Sequence, residues 1–220
     1  LEIGSGYGQV MKNFQNAGFQ SLFGIENSKH RAELVRSVFG FNVFQGDFGS
    51  NDVEIQLKKH GPFGLIFSHH VLEHVYDPDK VIASMSRLQE IGDYAIFALP
   101  NVSGEHINYV SLYLPHLHGF TKESLEVLFN RYGYEILIDG SPDALNLIIV
   151  AQKVKNPKVF FSLKKNYKDR AQQRIRKGFA LEALTEQTPY LLKWHQKLDD
   201  TDTAFAKIFF RNHFLCRFFW

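Results

Sequence analysis

The chain opens with a glycine-rich turn that restricts both its fold and its possible ligands. The first eight residues place an acid two positions before a run of alternating glycines, Gly4, Gly6 and Gly8. Such spacing is typical of a strand-to-helix turn where backbone lies against a ligand, because a Cβ atom would occupy the same space. The apolar run before the turn is too short for a strand and no methionine precedes it. We therefore expect the chain to begin inside a strand, as part of a longer protein.

Two phosphate-binding turns do not fit these residues. The dinucleotide fingerprint G-x-G-x-x-G places its third glycine one residue later than Gly8, where this chain has Gln9. The P-loop requires Gly-Lys-Ser/Thr, which does not follow here. An NAD-dependent oxidoreductase is therefore a less favoured alternative. A purely structural glycine turn in another α/β domain remains open on these residues alone.

Three later apolar runs end in polar residues. The run Phe23–Glu26 ends in an acid about 20 residues after the turn, the position that contacts ribose hydroxyls in nucleoside-binding α/β sheets. The next run ends at Asp47, and a third reaches Ser68 and His69. In open α/β sheets ligands bind beyond the carboxyl ends of the strands. These side chains therefore predict a nucleoside-containing ligand, although an acid at a strand end can also simply cap the next turn.

Taken together, these motifs resemble the class I S-adenosylmethionine-dependent methyltransferases. The E-x-G-x-G-x-G turn is similar to the family's first motif, and residues 69–78 closely resemble its strand-four signature, V-L-E-H-V-x-D-P. Residues 94–101 look like its strand five, and the string His-Gly-Phe-Thr at 118–121 recurs in a branch that acts on small molecules. One departure is Gly64, where the family usually carries an acid with a mostly structural role.

The resemblance implies S-adenosylmethionine as cofactor and assigns residues to it. Glu2 suits the methionine ammonium, Glu26 the ribose, Asp47 the adenine amino group and Phe48 the adenine ring, with Ser68 and His69 beside the methionine moiety. The predicted cofactor-binding residues are Glu2, Gly4, Gly6, Gly8, Glu26, Asp47, Phe48, Ser68 and His69.

Methyl transfer requires an acceptor in line with the S–CH3 bond and removal of a proton where the acceptor carries one. Histidine can supply that base. The candidate catalytic residues are His69, after strand four, with His116 and His118 after strand five. Each has an alternative role: His69 can merely line the pocket, and the loop histidines can merely order Phe120.

The resemblance implies a small-molecule acceptor such as a metabolite, a quinone precursor or a sugar, methylated on oxygen or carbon. The alternative from another class is a module that kept the fold as a binding domain and lost activity.

The strand-four signature also contains a string that resembles a metal motif. His70 and His74 stand four residues apart with Glu73 before the second, but a zincin motif needs glutamate directly after the first histidine, and Val71 is there. Since the methyltransferase signature carries Glu-His without a metal, we predict no metal site.

Helical and strand patterns alternate over the first part of the chain. This alternation predicts a parallel sheet with right-handed crossovers. Two consecutive strands, Tyr134–Ile138 and Leu145–Gln152, flank a turn at Pro142-Asp143 and add one antiparallel strand. We predict an α/β, Rossmann-like, doubly wound sheet over 1–155. Helices are expected at about 8–18, 28–39, 78–90 and from Thr121 to Gly133.

Composition changes beyond a boundary at Asn156-Pro157, where we predict a basic helical extension over 156–220. Its lysine and arginine run is more typical of a solvated helix face than of a binding site. Its last residues, 204–220, combine aromatic and basic side chains. We expect them to pack on the protein, with peripheral membrane contact as the alternative.

Charge and cysteine content restrict the partners and the compartment. A net charge of +2 argues against nucleic acid as a general partner. The single cysteine, Cys216, excludes an internal disulfide and fits a reducing compartment such as the cytoplasm. No apolar run reaches the roughly 18 residues of a membrane span. The sequence does not indicate an oligomeric state.

Overall fold

The structure is a computed structural model that describes residues 1–102, 115–139 and 146–158. The predicted turn at Pro142-Asp143 and the extension from residue 159 onward lie outside the described residues. A short 3-10 turn, Leu72–His74, follows the fourth strand. The strands and α-helices are, in chain order, β1 Glu2–Ile3, α1 Gln9–Asn16, β2 Phe23–Glu26, α2 Lys29–Phe39, β3 Asn42–Gln45, α3 Asn51–Lys58, β4 Leu65–His69, α4 Pro78–Arg87, β5 Tyr94–Pro100, α5 Lys122–Arg131, β6 Tyr134–Asp139 and β7 Asn146–Lys153.

The strands form one sheet in the order β3-β2-β1-β4-β5-β7-β6. Strands β1 to β5 pair in parallel, and β7 runs antiparallel to both of its neighbours. This arrangement confirms the predicted Rossmann-like sheet with one antiparallel strand. Strand β1 lies between β2 and β4, with Ile3 beside Ile25 and Ser68. The glycine turn therefore leaves the middle of the sheet.

Helices cover the sheet through separate apolar clusters. Buried residues of α3, α4 and α5, such as Val53, Ile82 and Phe129, share one large cluster with the strands. Met11 of α1 and Val35 of α2 pack in a second cluster. Burial of this kind stabilises by about 25 cal/mol per Å² of apolar surface. Both clusters hold the strands in place and so determine the positions of the loops at the carboxyl ends of the strands.

Polar residues set the starts of the predicted helices. Ser28 accepts a hydrogen bond from the backbone N–H of Arg31 at the start of α2. Thr121 and Ser124 form a reciprocal capping box at the start of α5, as the predicted cap at Thr121 requires.

Helix α3 was not predicted. Its apolar residues Val53, Ile55 and Leu57 alternate as in a strand, although only the first and last of the three are buried.

None of the helices in the described part of the chain has the length and apolar character needed to cross a membrane.

Candidate functional site

The glycine turn folds back against the end of β2. The backbone N–H groups of Gly4 and Ser5 both donate to the carbonyl oxygen of Ile25, at 2.8 and 3.0 Å. Gly4 and Gly6 have φ values of +73° and +52°, in the left-handed region that disfavours other residues. A Cβ atom on Gly6 would meet no described atom within 4 Å. The turn therefore presents bare backbone to open space at Gly6.

Glu26 is tied directly to this turn. The Gly6 N–H donates to Glu26 Oε2 at 2.9 Å, while the Ser28 N–H donates to Oε1 at 2.9 Å. The guanidinium of Arg31 also donates to Oε1, through Nε at 3.0 Å and a terminal nitrogen at 2.7 Å. Glu26 is only 3% exposed. The carboxylate is thus held in one orientation, with Oε2 next to the open side of the turn.

Arg31 is a site residue that the sequence analysis missed. It lies in the first turn of α2 and forms an ion pair with Glu26. The sequence does contain a signal for this contact, because Arg31 lies five residues after Glu26. A helix that begins directly after the strand brings its first turn back against the end of that strand.

Glu2 lies in β1, directly before the turn. It is 6% exposed, and its Oε2 has no hydrogen-bond partner among the described residues. Burial raises the pKa of Glu2 to about 8, and the nearby amino group of Leu1, followed by the backbone N–H of Met11, partly offsets this shift. A buried carboxyl with one unpartnered oxygen favours a cation beside it, because a positive charge restores its ionised form.

Asp47 and Phe48 follow β3 at the same edge of the sheet. Glu26 is aligned with Gln45, and the Gly46 N–H donates to the Glu26 carbonyl oxygen at 3.1 Å. Asp47 is exposed, while Phe48 is half-buried against the core. The strand register therefore brings Asp47 close to Glu26, as the order of the motifs predicts.

Gly8 differs from the other two glycines of the turn. It caps α1, and a Cβ atom there would come within 2.8 Å of a methyl group of Val35. The absence of a side chain at Gly8 thus already has a structural reason, the close packing of α1 on α2. Its predicted contact with a cofactor stays a prediction.

Ser68 and His69 end β4 beside β1. Ser68 is buried and aligned with Ile3. His69 is half-buried, and burial, followed by the proximity of His70, lowers its pKa to about 3. A histidine with so low a pKa is neutral near pH 7. It can exchange hydrogen bonds there, but it is a weak base.

The loop after β4 carries backbone strain. His70 has φ +51°, a value that only glycine adopts readily, and its N–H donates to the Ala98 carbonyl oxygen at 2.9 Å. Its ring nitrogen Nδ1 lies 2.9 Å from Glu73 Oε1. Strained residues of this type occur preferentially at functional sites.

His116 and His118 lie in a segment that is attached to this loop. The N–H groups of Leu117 and His118 both donate to the carbonyl oxygen of Glu73, at 2.8 and 3.2 Å. The His116 ring lies 4.8 Å from the His74 ring, centroid to centroid. The structure thus places both loop histidines at the carboxyl edge, next to the 3-10 turn. Ligand atoms of Glu73, His74 and His116 fall within 4.8 Å of one another.

A separate cavity of about 480 Å³ opens at the opposite edge of the sheet. Leu1, Phe23 and Leu65 line it at the amino ends of their strands, and Glu2 is the predicted cofactor residue that borders it. Its other lining is mainly aromatic and aliphatic. We place the candidate site at the carboxyl edge, where the open turn and the acids after β2 and β3 converge.

Comparison with known proteins identifies relatives of this domain. Residues 1–138 match a family model described as a methyltransferase domain. An S-adenosylmethionine-dependent methyltransferase from Mesorhizobium loti has a TM-score of 0.53 at 15% identity, over 69% of this chain and 88% of that chain. Another from Archaeoglobus fulgidus has a TM-score of 0.52 at 17% identity, over 69% and 84% of the two chains.

The cyclase SpnF also matches, with a TM-score of 0.52 at 15% identity, over 70% of this chain and 74% of that chain. No curated protein sequence matches the chain significantly. At these identities the structural likenesses establish the fold alone.

Proposed function

Since the chain belongs to the methyltransferase domain family, we propose that it transfers a methyl group from S-adenosylmethionine to a small-molecule acceptor. The observation that carries this proposal is the hydrogen bond from the Gly6 N–H to Glu26 Oε2. This hydrogen bond connects the glycine turn, which has no side chain at Gly6, to Glu26, an acid in the position that contacts ribose. A nucleoside with a flexible tail fits such a junction.

The residues present fit S-adenosylmethionine. Glu2, with its unpartnered buried oxygen, would pair with the methionine ammonium. Glu26 Oε2 would accept a hydrogen bond from a ribose hydroxyl, and the open side of Gly6 would lie against the tail. Asp47 would bind the adenine amino group and Phe48 would pack on the ring. When bound, the cofactor supplies a methyl group that its sulfonium has already activated.

The low pKa of His69 leads us to assign it a role in hydrogen bonding rather than in proton removal. Together with Ser68 it would line the methionine end of the site. His116 and His118 then become the candidates for the base, because their loop is attached to the 3-10 turn after β4. An acceptor hydroxyl held between β4 and this loop would lose its proton to one of them.

A small acceptor is favoured by the V-L-E-H-V and His-Gly-Phe-Thr strings, which resemble those of methyltransferases acting on metabolites, quinone precursors or sugars. The second string begins at His118, the second of the two loop histidines. Methylation on oxygen requires a base near the acceptor, which His116 or His118 would supply.

Two measurements test the proposal. Calorimetric titration should show binding of S-adenosylmethionine and of its demethylated product, with no binding of NAD as the matched nucleotide control. Incubation with the radiolabelled methyl donor and small hydroxylated acceptors should then transfer label. Failure of both sulfur compounds to bind would refute the assignment. Cofactor binding without transfer to any acceptor would favour a binding module.

A further inference from the structure

Glu73 carries a buried carboxylate oxygen that the methyl-transfer proposal does not use. The residue is 1% exposed, and its Oε2 has no hydrogen-bond partner among the described residues. A buried carboxylate oxygen without a donor destabilises a fold by about 1–3 kcal/mol, and more when charged. The position of Glu73 therefore favours a positively charged group beside it.

His74 directs a ring nitrogen toward this carboxylate. Its Nδ1 lies 3.0 Å from the carbonyl oxygen of Pro115. A carbonyl oxygen can only accept, so Nδ1 carries the hydrogen and the neutral ring has its lone pair on Nε2. That Nε2 is 3.8 Å from Glu73 Oε1. A histidine that donates one ring N–H to a carbonyl and presents the other nitrogen is oriented as metal-binding histidines are.

His70 contacts the same oxygen of the Glu73 carboxylate that His74 approaches. Its Nδ1 lies 2.9 Å from Glu73 Oε1, and since a carboxylate accepts, the imidazole donates. This bond fixes Oε1 and leaves Oε2 available for another partner. His70 is thus a positioning residue for the carboxylate. His70 itself has a left-handed φ of +51°.

The third group beside Glu73 and His74 is His116, which comes from a distant part of the chain. The N–H groups of Leu117 and His118 hold the segment of residues 115–118 on the Glu73 carbonyl oxygen. This attachment places the His116 ring 4.8 Å from the His74 ring, centroid to centroid. One ligand atom each from Glu73, His74 and His116 lies within 4.8 Å of the others.

We propose that Glu73, His74 and His116 form a binding site for a divalent transition-metal ion. One carboxylate and two imidazoles are a ligand set that Zn²⁺ accepts, with further positions left to water or substrate. His74 is exposed, so an ion can enter from solvent. None of the three ligands is assigned to the cofactor, but His116 is one of the two candidate bases. With His116 bound to the ion, His118 remains as the base in the methyl-transfer proposal.

The proposed site differs from the expectation in the sequence analysis, which predicted no metal. The H-x-x-x-H string suggested His70 and His74 as a ligand pair, but in the structure His70 supports Glu73 instead. The third ligand, His116, lies on another element and belongs to no local motif. The spacing of Glu73, His74 and His116 in the sequence therefore did not indicate the site.

Titration of protein that a chelator has stripped of metal tests the proposal. Zn²⁺ should bind with a stoichiometry of one in calorimetry, and Co²⁺ should develop visible ligand-field absorption. His116→Ala and Glu73→Gln should each weaken Zn²⁺ binding by about tenfold or more. His30→Ala, which removes an exposed histidine on α2, is the matched control and should leave the affinity unchanged.

Two results would overturn the site. One is the absence of saturable Zn²⁺ binding to the stripped protein. The other is equal Zn²⁺ affinity in wild type, His116→Ala and Glu73→Gln when circular dichroism shows that all three are folded. S-adenosylmethionine affinity, measured separately on the same samples, reports on the methyl-transfer proposal. Zn²⁺ binding without cofactor binding would support the metal site and refute only that proposal.

Discussion

The side chain of Val71 occupies the position that a Cβ atom on Gly4 would need. The turn after β1 and the loop after β4 are therefore packed against each other with no room for a side chain between them. This contact holds the turn that follows β1, with its predicted cofactor residues, next to His69 and His70. It also means that two separate parts of the sequence define one surface.

Gly4→Ala should lower the free energy of unfolding by about 2–4 kcal/mol, since it combines positive-φ strain with overpacking against Val71. The measurement is urea unfolding of the wild type, of the single variants Gly4→Ala and Val71→Ala, and of the double variant Gly4→Ala/Val71→Ala. Removing the valine methyl groups should restore part of the loss. Additive effects of the two substitutions would contradict a direct contact.

Gly6→Ala should separate folding from cofactor binding. The new Cβ atom meets no described atom, so only the strain of φ +52° remains, about 1–2 kcal/mol. Gly18→Ala is the control, because Gly18 has φ +96°, equally open surroundings and no part in the site. Both variants should melt at similar temperatures. Only Gly6→Ala should weaken S-adenosylmethionine binding in calorimetry, and equal affinities would contradict our placement of the cofactor.

Glu26→Ala should weaken S-adenosylmethionine binding by about 1–3 kcal/mol, the usual loss for a hydrogen-bonded charged partner. The matched control is Glu33→Ala on the same helix–strand unit, where an exposed glutamate only pairs with Lys29. Titration calorimetry of the two variants gives the comparison. An unchanged affinity for the Glu26 variant would remove the ribose contact from the proposal.

Cofactor binding should release a proton. Burial raises the pKa of Glu2 to about 8, so the free protein holds this carboxyl mainly protonated at pH 7. Pairing with the methionine ammonium stabilises the ionised form and expels the proton. The affinity should therefore rise from pH 6 to pH 8.

Calorimetry in two buffers of different ionisation enthalpy counts the protons released. Glu2→Gln should release none and should lose the pH dependence. Identical apparent enthalpies in both buffers for the wild-type protein would show that Glu2 is not the ammonium partner.

Acid should destabilise the fold through Glu54. Hydrogen bonds from Arg87 are the main cause that lowers the pKa of Glu54 to about 2, with Lys58 and Ser84 adding to the effect. A carboxyl whose pKa is depressed on folding stabilises the native state above its unfolded pKa of about 4.5. That contribution is lost as pH falls through the folded value of about 2.

The side chain of Arg87 is half exposed, so we expect a contribution of about 1–2 kcal/mol rather than the full shift. Urea unfolding of wild type and Glu54→Gln should differ most near pH 6, and the difference should shrink between pH 4.5 and 2. A difference that stays constant over this range would contradict the prediction.

The sequence could predict that several candidate site residues follow strands at one edge of the sheet, for a topological reason. Once the strands are parallel, Glu26, Asp47 and His69 must all end at one edge, whatever the details of packing. The same rule places His116 and His118 there, because their segment follows β5. Periodicity also located α2 and α5, whose caps at Ser28 and Thr121 can be read from single residues.

Side-chain contacts that depend on the geometry of loops and helix starts could not be predicted in this way. The ion pair of Arg31 with Glu26 depends on how α2 leaves the strand, and the juxtaposition of His116 with Glu73 depends on hydrogen bonds between two loops. The depressed pKa of His69 arises from burial, which no motif reveals. At Gly8 the motif predicts a ligand contact, which stays a prediction, but it does not reveal the tight helix packing against Val35.

The segment after β5 is attached to Glu73 through the main-chain N–H groups of residues 117 and 118. Any amino acid except proline can donate those bonds, so the placement of the segment is independent of the side chains it displays. Leu117 can therefore be replaced by design without loss of these main-chain hydrogen bonds. The glycine turn has no such latitude at Gly4. Substitution is therefore more restricted at Gly4, on one side of this site, than at Leu117 on the other.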